Sequence, residues 1–364
     1  MKSHLWLLLP LFFSCSKKEN TAAQKQTTAQ NCFILKQGIN VESEKKAAVI
    51  PTNEDILKKL PTHIQRNKLP DFKLFFYERK NTEILVENEK KYFESKSYKT
   101  KFSAWIKALP EFRYLSVNEN FALAKNKYGL WIVENQGIDF KPYFLGFTPN
   151  FFLQDFYGKD QKFLMGQQVV FNGTLVNEQR LSEVPMLPKY EVIEDGLQFS
   201  IHLEDLRKDS DHDGFNDLFE NFIGLNPNSA DTDGDGINDF QDSNPKYRSA
   251  TSKFTKMYEA IADEPSEKYN YSFTEILTNC EYFHSIDPKN RKILLYTTNE
   301  RYPLMEDLLD HFFPRKYSKM QTYKDYPDAY FTDYADATGN GTISAEYIGG
   351  KWKIYKKSTV TFGM

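Results

Sequence analysis

The sequence is poor in the features that mark the easily recognised protein classes. It contains three Cys and six His, and they form no zinc-binding spacing. It has no nucleophile elbow, no phosphate loop and no dinucleotide fingerprint. No Lys/Arg run reaches the length that marks nucleic-acid binding, so no nucleic-acid partner is expected. No apolar run reaches the roughly 20 residues that a membrane-spanning helix needs. These gaps exclude a helical membrane protein and the enzymes with compact motifs. An active site scattered along the chain stays open.

What is present is a globular composition. The 364 residues are 40 % hydrophobic and 15 % aromatic, with 30 Phe and 22 Tyr. That suffices for two or three domains with real cores. The formal net charge is −3, but ten acids sit in residues 209–242, a stretch without Lys or Arg. Without those ten, the balance of the chain moves from −3 to +7. The negative charge is therefore local.

The segments differ in pattern. Residues 16–50 are rich in Lys, Gln, Thr and Ala and read as a flexible tether, with CFILK (32–36) as the one apolar interruption. Thr52 opens a short helix that ends before Pro61. Residues 51–205 then read as a β-rich domain. LFFYE, YLSV, GLWIVE and QQVVF are short apolar runs between turn residues. Asn172-Gly173 and Asn135-Gln136-Gly137 are the hairpin signals. A short helix is expected over 102–109. Leu197, Phe199, Ile201 and Leu203 alternate with polar residues, as in a half-buried strand. Sandwich and barrel remain equal alternatives. Residues 206–246 form a connector. Residues 247–364 read as a small α+β domain: a helix behind Ser252, a second over 272–284, a strand over 292–298, a helix over 304–313, and closing strands that turn at Gly349-Gly350.

The connector contains a repeat. DSDHDGFNDLFE (209–220) aligns with DTDGDGINDFQD (231–242) at an offset of 22 residues. Both carry acids at positions 1, 3, 5, 9 and 12 and Gly at position 6, the pattern of a 12-residue calcium loop. Calcium takes six to eight hard oxygen ligands. Asp209, Asp211 and Asp213, and likewise Asp231, Asp233 and Asp235, converge only around a sharp turn, which Gly214 and Gly236 permit. Phe215 and Ile237 supply position-7 carbonyls while their side chains face a core. Asp217 and Asp239 act through water at position 9. Glu220 closes the first loop with two oxygens and the shorter Asp242 closes the second with one. The expectation is about two Ca2+ ions and metal-dependent ordering of the segment. A weaker match, DATGNGTISAEY (336–347), has no closing ligand and reads better as a turn between strands.

Two resemblances follow from these residues. DxDxDGxxDxxE followed by LNPNSADTDGDGINDFQDSNP resembles the bacterial thrombospondin type 3 repeat, a calcium-stiffened connector of secreted and surface proteins. It covers about 40 of the 364 residues and implies nothing about the flanking domains. The N-terminus, MKSHLWLLLPLFFSCSKKEN, resembles a bacterial lipoprotein signal. That resemblance implies that residues 1–15 are the signal peptide, that Cys15 carries the lipid (palmitate among its acyl chains), and that the chain sits on the outer membrane, facing the periplasm or the cell surface. Phe12 departs from the aliphatic residue usual three places before the Cys. Cys32 and Cys280 are free to pair in an oxidising compartment, but their positions in sequence do not decide it.

The reading is a multidomain chain: a β-rich N-terminal domain, a thrombospondin type 3-like calcium connector and a small α+β C-terminal domain. A binding or scaffold role with a protein or glycan partner comes first. The alternatives are an extracytoplasmic hydrolase with structural calcium and a dockerin-like docking module. The docking module needs a helix after each loop, and Ser243-Asn244-Pro245 opposes the second. Cys280 and His284, four apart on the expected helix, Asp310-His311, and the acids Asp325, Asp328, Asp333 and Asp336 are the remaining catalytic candidates. Each reads more simply as packing, loop or edge positions.

Overall fold

The computed structural model describes residues 31–35, 51–70, 82–153, 162–179, 189–263, 269–297, 300, 315–323, 325–336 and 339–361. The chain is rich in β-structure, with three sheets and few, short helices among these residues. The runs expected as a strand at 74–78 and a helix at 304–313 lie outside them, as does Cys15.

The described residues between 51 and 202 form a sandwich of two sheets. Helix Asn53–Lys58 starts at Thr52, which forms a capping box with Asp55, and this satisfies amide groups left open at the helix start. A four-stranded meander follows: Arg113–Asn118, Phe121–Asn126, Gly129–Asn135 and Phe140–Phe144. Its last turn uses Gly137 at φ 96°, as the sequence predicts. A five-stranded sheet runs in the order Gln65–Lys68, Lys189–His202, Gln168–Gln179, Phe151–Leu153, with Leu164–Met165 also on Gln168–Gln179. Strand Phe121–Asn126 is buried along its whole length. Successive side chains point to opposite faces, so Phe121 and Leu123 enter one core while Ala122 and Ala124 enter another. The first of these cores joins the two sheets.

Asn172-Gly173 is not a hairpin turn. Both residues lie inside strand Gln168–Gln179. A Cβ on Gly173 would stand 2.4 Å from the Phe152 carbonyl oxygen, so the glycine is there for close approach of a neighbouring strand.

The C-terminal region packs helix Lys253–Ala262, capped by Ser252, on an eight-stranded sheet. The helix expected over 272–284 is instead strand Thr274–Leu277 followed by a short helix, Glu281–His284. Thr274–Leu277 lies parallel to both Ile293–Tyr296 and Arg315–Tyr317. A buried parallel strand shows no alternation, and sequence periodicity cannot tell it from a helix. Strands Gly339–Ile348 and Lys351–Thr361 turn at Gly349 and Gly350, both at positive φ.

Two findings change the domain picture. First, CFILK, the apolar interruption of the tether, is part of the fold at residues 32–35. Phe33–Leu35 is a strand parallel to Met320–Tyr323 in the C-terminal sheet, and Cys32 is disulfide-bonded to Cys280. Second, the connector does not span a gap. Phe215, Phe219 and Ile223 are fully buried in one cluster with Trp131 and Phe144 of the meander and with Tyr271 and Phe273 of the C-terminal part. The Cys32–Cys280 bridge links residues 248 apart, and such a closure restricts the unfolded chain strongly. The double variant Cys32→Ser, Cys280→Ser should lose about 2–5 kcal/mol. Urea unfolding against the parent chain measures this, and an unchanged midpoint contradicts it.

Candidate metal centre

Both loops are shaped by their own acids. In the first, Asp211 Oδ1 accepts from the Asp213 amide at 3.1 Å, and Asp213 Oδ1 from the Phe215 amide at 2.7 Å. In the second, Asp233 Oδ1 accepts from the Asp235 amide and Asp235 Oδ1 from the Ile237 amide, both at 2.9 Å. One oxygen of each acid thus bends the backbone and the other is released. Gly214 and Gly236 take φ 114° and 97°, values that L side chains rarely adopt. Position 4 is also left-handed, with His212 at 63° and Gly234 at 73°. That feature is invisible in the sequence of the first loop.

The position-9 acids repeat a second device. Asp217 accepts from the Ser210 amide and hydroxyl, both at 2.8 Å. Asp239 accepts from the Thr232 amide at 2.9 Å and hydroxyl at 2.6 Å. Position 9 therefore clasps position 2 in both copies. Lys208 also pairs with Asp217 at 3.0 Å. Burial works against ionisation of Asp217, yet Lys208 and Ser210 hold its carboxyl below the usual carboxylate range.

Ligand oxygens converge in three groups, each within 4.8 Å: Asp209, Asp211 and Asp213; Asp231, Asp233 and Asp235; and Asp213, Glu220 and Asp239. The third group joins the two loops. Nothing in the sequence predicts it, because position 9 of one loop has no visible relation to position 12 of the other. Asp217 and Asp242 fall outside these groups. Asp242 Oδ1 instead accepts from the Asn244 amide at 2.9 Å. The side chain of Phe215 faces a core as expected, but Ile237 does not: it is 43 % exposed. In the second loop Phe240 turns inward, onto Phe215 at 5.2 Å between ring centres.

The carboxylates carry the signature of an acceptor set that lacks its donor. Asp209 Oδ1, Asp211 Oδ2, Asp213 Oδ2, Asp233 Oδ2 and both oxygens of Glu220 are buried without a hydrogen-bond partner. Glu220 is 0 % exposed. Leaving one buried charged acceptor unpaired costs several kcal/mol, and burying charge without a counter-ion costs more. Burial, followed by the charges of Asp211 and Asp213, pushes Glu220 up to about 9. Burial, and then Asp211, Asp239 and Asp209, takes Asp213 to about 7 against the pull of the Phe215 amide. Burial is also the leading cause that raises Asp233 and Asp242 to about 6. All-oxygen donors of this number suit a hard divalent cation, calcium before the smaller magnesium.

Two Asn side chains fasten the segment at its ends. Asn216 donates to the Phe144 and Leu206 carbonyls at 3.2 and 3.0 Å. Asn244 donates to the His284 and Ile286 carbonyls at 2.7 and 2.9 Å. Between them, buried Lys292 donates to the Phe240 carbonyl and lies over the Phe215, Phe240 and Phe273 rings.

The other candidates resolve differently. Cys280 is bonded to Cys32, so it is no thiol nucleophile for His284. The His284 ring meets the Thr278 carbonyl at 2.9 Å and stacks on Tyr247. Asp310 and His311 lie outside the described residues. Asp336 pairs with Arg315 at 2.8 Å, Asp328 with Lys253 at 3.6 Å, and Asp333 accepts from Thr342. Residues 339–347, the weaker loop match, lie in a strand. Among the described residues no helix is long and apolar enough to cross a membrane. No family model, curated protein or solved structure matches this chain.

A pH dependence follows for the metal-free chain. The raised carboxyls of Asp213, Glu220, Asp233 and Asp242 keep protons in the folded state that the unfolded chain releases from about pH 4. Their contribution is full below that pH and is lost as pH rises through about 6 to about 9. Melting in chelator should therefore fall from pH 5 towards pH 9. With millimolar calcium the same series should be nearly flat, because the cation replaces the protons. Scanning calorimetry of both series decides it; a chelated chain that gains stability towards pH 9 contradicts it.

Proposed function

We propose that this chain is a calcium-dependent extracytoplasmic lipoprotein with a binding or scaffold role. Its two Asp-rich loops hold structural Ca2+, and Cys15 carries the lipid that keeps it on the outer membrane. The observation that carries the calcium reading is Glu220, fully buried with both oxygens unpartnered beside Asp213 and Asp239. A cation in that position cancels the repulsion and lets the neighbouring Phe219 stay in the central core. The finer division into a calcium connector and a C-terminal α+β domain belongs to the same proposal. It differs from a simple spacer: calcium would stabilise an interface in which the sandwich, the connector and the C-terminal sheet share one core.

The docking-module alternative is less well supported. Helix Asp217–Ile223 follows the first loop, but the second ends in a turn closed by Asn244. The flanking regions have a protein or glycan partner on this reading.

Calcium sites of extracellular modules bind at about 10⁻⁴–10⁻³ M. Saturating calcium at a hundred times Kd would add about 2.7 kcal/mol per site. Chelation should lower the melting temperature and raise protease cutting within residues 206–247. Glu220→Gln gives the sharper result. It should weaken calcium binding tenfold or more, about 1.4 kcal/mol, while raising the melting temperature of the chelated chain by removing a carboxyl that folding must protonate or bury charged. Calorimetric calcium titration and paired melts read both effects. A parent chain indifferent to chelator sinks the proposal.

A further inference from the structure

We propose that one face of the C-terminal strands of the eight-stranded sheet docks on an anionic lipid surface; the same face at strands Thr274–Leu277 and Ile293–Tyr296 is already covered by the central core. One row of this face crosses five strands in register. Ile34 lies beside Gln321, Gln321 beside Phe331, Phe331 beside Ser344, and Ser344 beside Tyr355. Alternate residues of a strand point to opposite faces, so Tyr323, Ile348, Lys351, Lys353 and Lys357 share this side. The other side is occupied: Phe33, Tyr330, Ile343, Ala345 and Trp352 pack in the core with helix Lys253–Ala262. On the outer side, Ile34, Tyr323, Ile348 and Tyr355 are 46, 37, 47 and 53 % exposed. Of these, Ile348 lies beside Lys351, and Tyr355 stands between Lys353 and Lys357 on one strand face, so exposed apolar and basic side chains adjoin there.

Charge and chain continuity indicate the occupant. Strand Lys351–Thr361 carries four Lys and no acid. Lys351, Lys353 and Lys357 make no ion pair among the described residues. On strands Tyr326–Asp336, Gly339–Ile348 and Lys351–Thr361 the acids of this face are Asp333, engaged by Thr342, and Glu346. Basic side chains beside amphipathic rings suit a headgroup layer, where the ring enters the boundary and the ammonium meets phosphate. Each Lys near an anionic leaflet adds about fivefold to partitioning. The N-terminal strand also enters the fold at this sheet. Sixteen residues separate Cys15 from Cys32, at most about 60 Å of extended chain, and the disulfide fixes Cys32 to the C-terminal part. A lipid on Cys15 then holds this sheet within reach of the bilayer. That last step rests on the lipid-anchor reading above.

The test uses the calcium-loaded mature chain from Ser16 onward, which carries neither the apolar signal segment nor the lipid. It is sedimented with phosphatidylglycerol-containing vesicles and with phosphatidylcholine vesicles. The expected result is binding to the anionic vesicles only, weakened by added salt. Lys351→Glu, Lys353→Glu and Lys357→Glu combined should reduce it at least tenfold, and Tyr355→Ala should reduce it severalfold. Unchanged melting temperatures show that the variants fold. No binding, equal binding to both vesicle types, or an unaffected triple variant overturns the proposal. So does binding to a soluble polyuronate without vesicle binding, or self-association through this face. Mass analysis of Cys15 in the native chain tests the anchor separately. A lipidated Cys15 with no vesicle binding defeats only the docking surface, and an unmodified Cys15 with vesicle binding defeats only the anchor.

Discussion

The fold depends on one adjacency. Phe219 and Glu220 are consecutive in a single helical turn, and both are fully buried. Phe219 meets Trp131 at 4.7 Å between ring centres and also touches Tyr128, Phe144 and Phe215. Glu220 places a carboxylate oxygen within 4.8 Å of ligand oxygens of Asp213 and Asp239, and neither of its oxygens has a hydrogen-bond partner. The helix cannot keep the first contact set without accepting the second. Removing Phe219 from water contributes roughly 2–3 kcal/mol, whereas an uncompensated buried carboxylate costs a comparable amount or more. Whatever neutralises Glu220 therefore strengthens the central core at Phe219.

The rest of the molecule converges on that core from three directions. The meander supplies Trp131 and Phe144, and the C-terminal region supplies Tyr271 and Phe273. Polar contacts between these two regions bypass the connector. Asn126 donates to the Tyr271 carbonyl at 2.8 Å, the Tyr271 amide to Glu111 at 3.0 Å, and Lys127 pairs with buried Glu275 at 2.8 Å. Strand Phe33–Leu35 and the Cys32–Cys280 bridge add another attachment on the far side of the sandwich in chain order. The sandwich is thus joined to the C-terminal sheet before and after itself in sequence. Connector and bridge act in parallel, so neither alone carries the association.

Much of the local structure is legible in the residues. The Thr52 and Ser252 caps, the Gly137 turn and the Gly349-Gly350 turn are set by near-neighbour chemistry, and each appears where expected. The two loops are legible for the same reason, since their acids bend their own backbone. What the sequence hides is long-range. Gly173 looks like a turn because the approach of Phe152 is not written nearby. Thr274–Leu277 looks helical because its partners lie 19 and about 40 residues onward. The pairing of Cys32 with Cys280 requires 248 residues of path between them. The inter-loop group of Asp213, Glu220 and Asp239 depends on how the two copies pack on one another, not on either copy's pattern.

That packing makes two nearly identical motifs unequal. Position 7 is Phe215 in the first loop, fully buried, and Ile237 in the second, 43 % exposed. The first loop therefore lies against the core and the second against solvent. The carboxyl groups follow: Asp213 and Glu220 are pushed to about 7 and about 9, Asp233 and Asp242 only to about 6. A cation relieves this repulsion and desolvation on the calcium reading, so the more strongly perturbed carboxyls gain most from it. On the calcium reading, the first loop and the inter-loop group couple metal to folding. On the same reading, Asp239 of the second loop belongs to the inter-loop group and couples the two loops through its side chain. A repeat that looks like duplication in sequence is, in three dimensions, a core-bound loop beside a more exposed one.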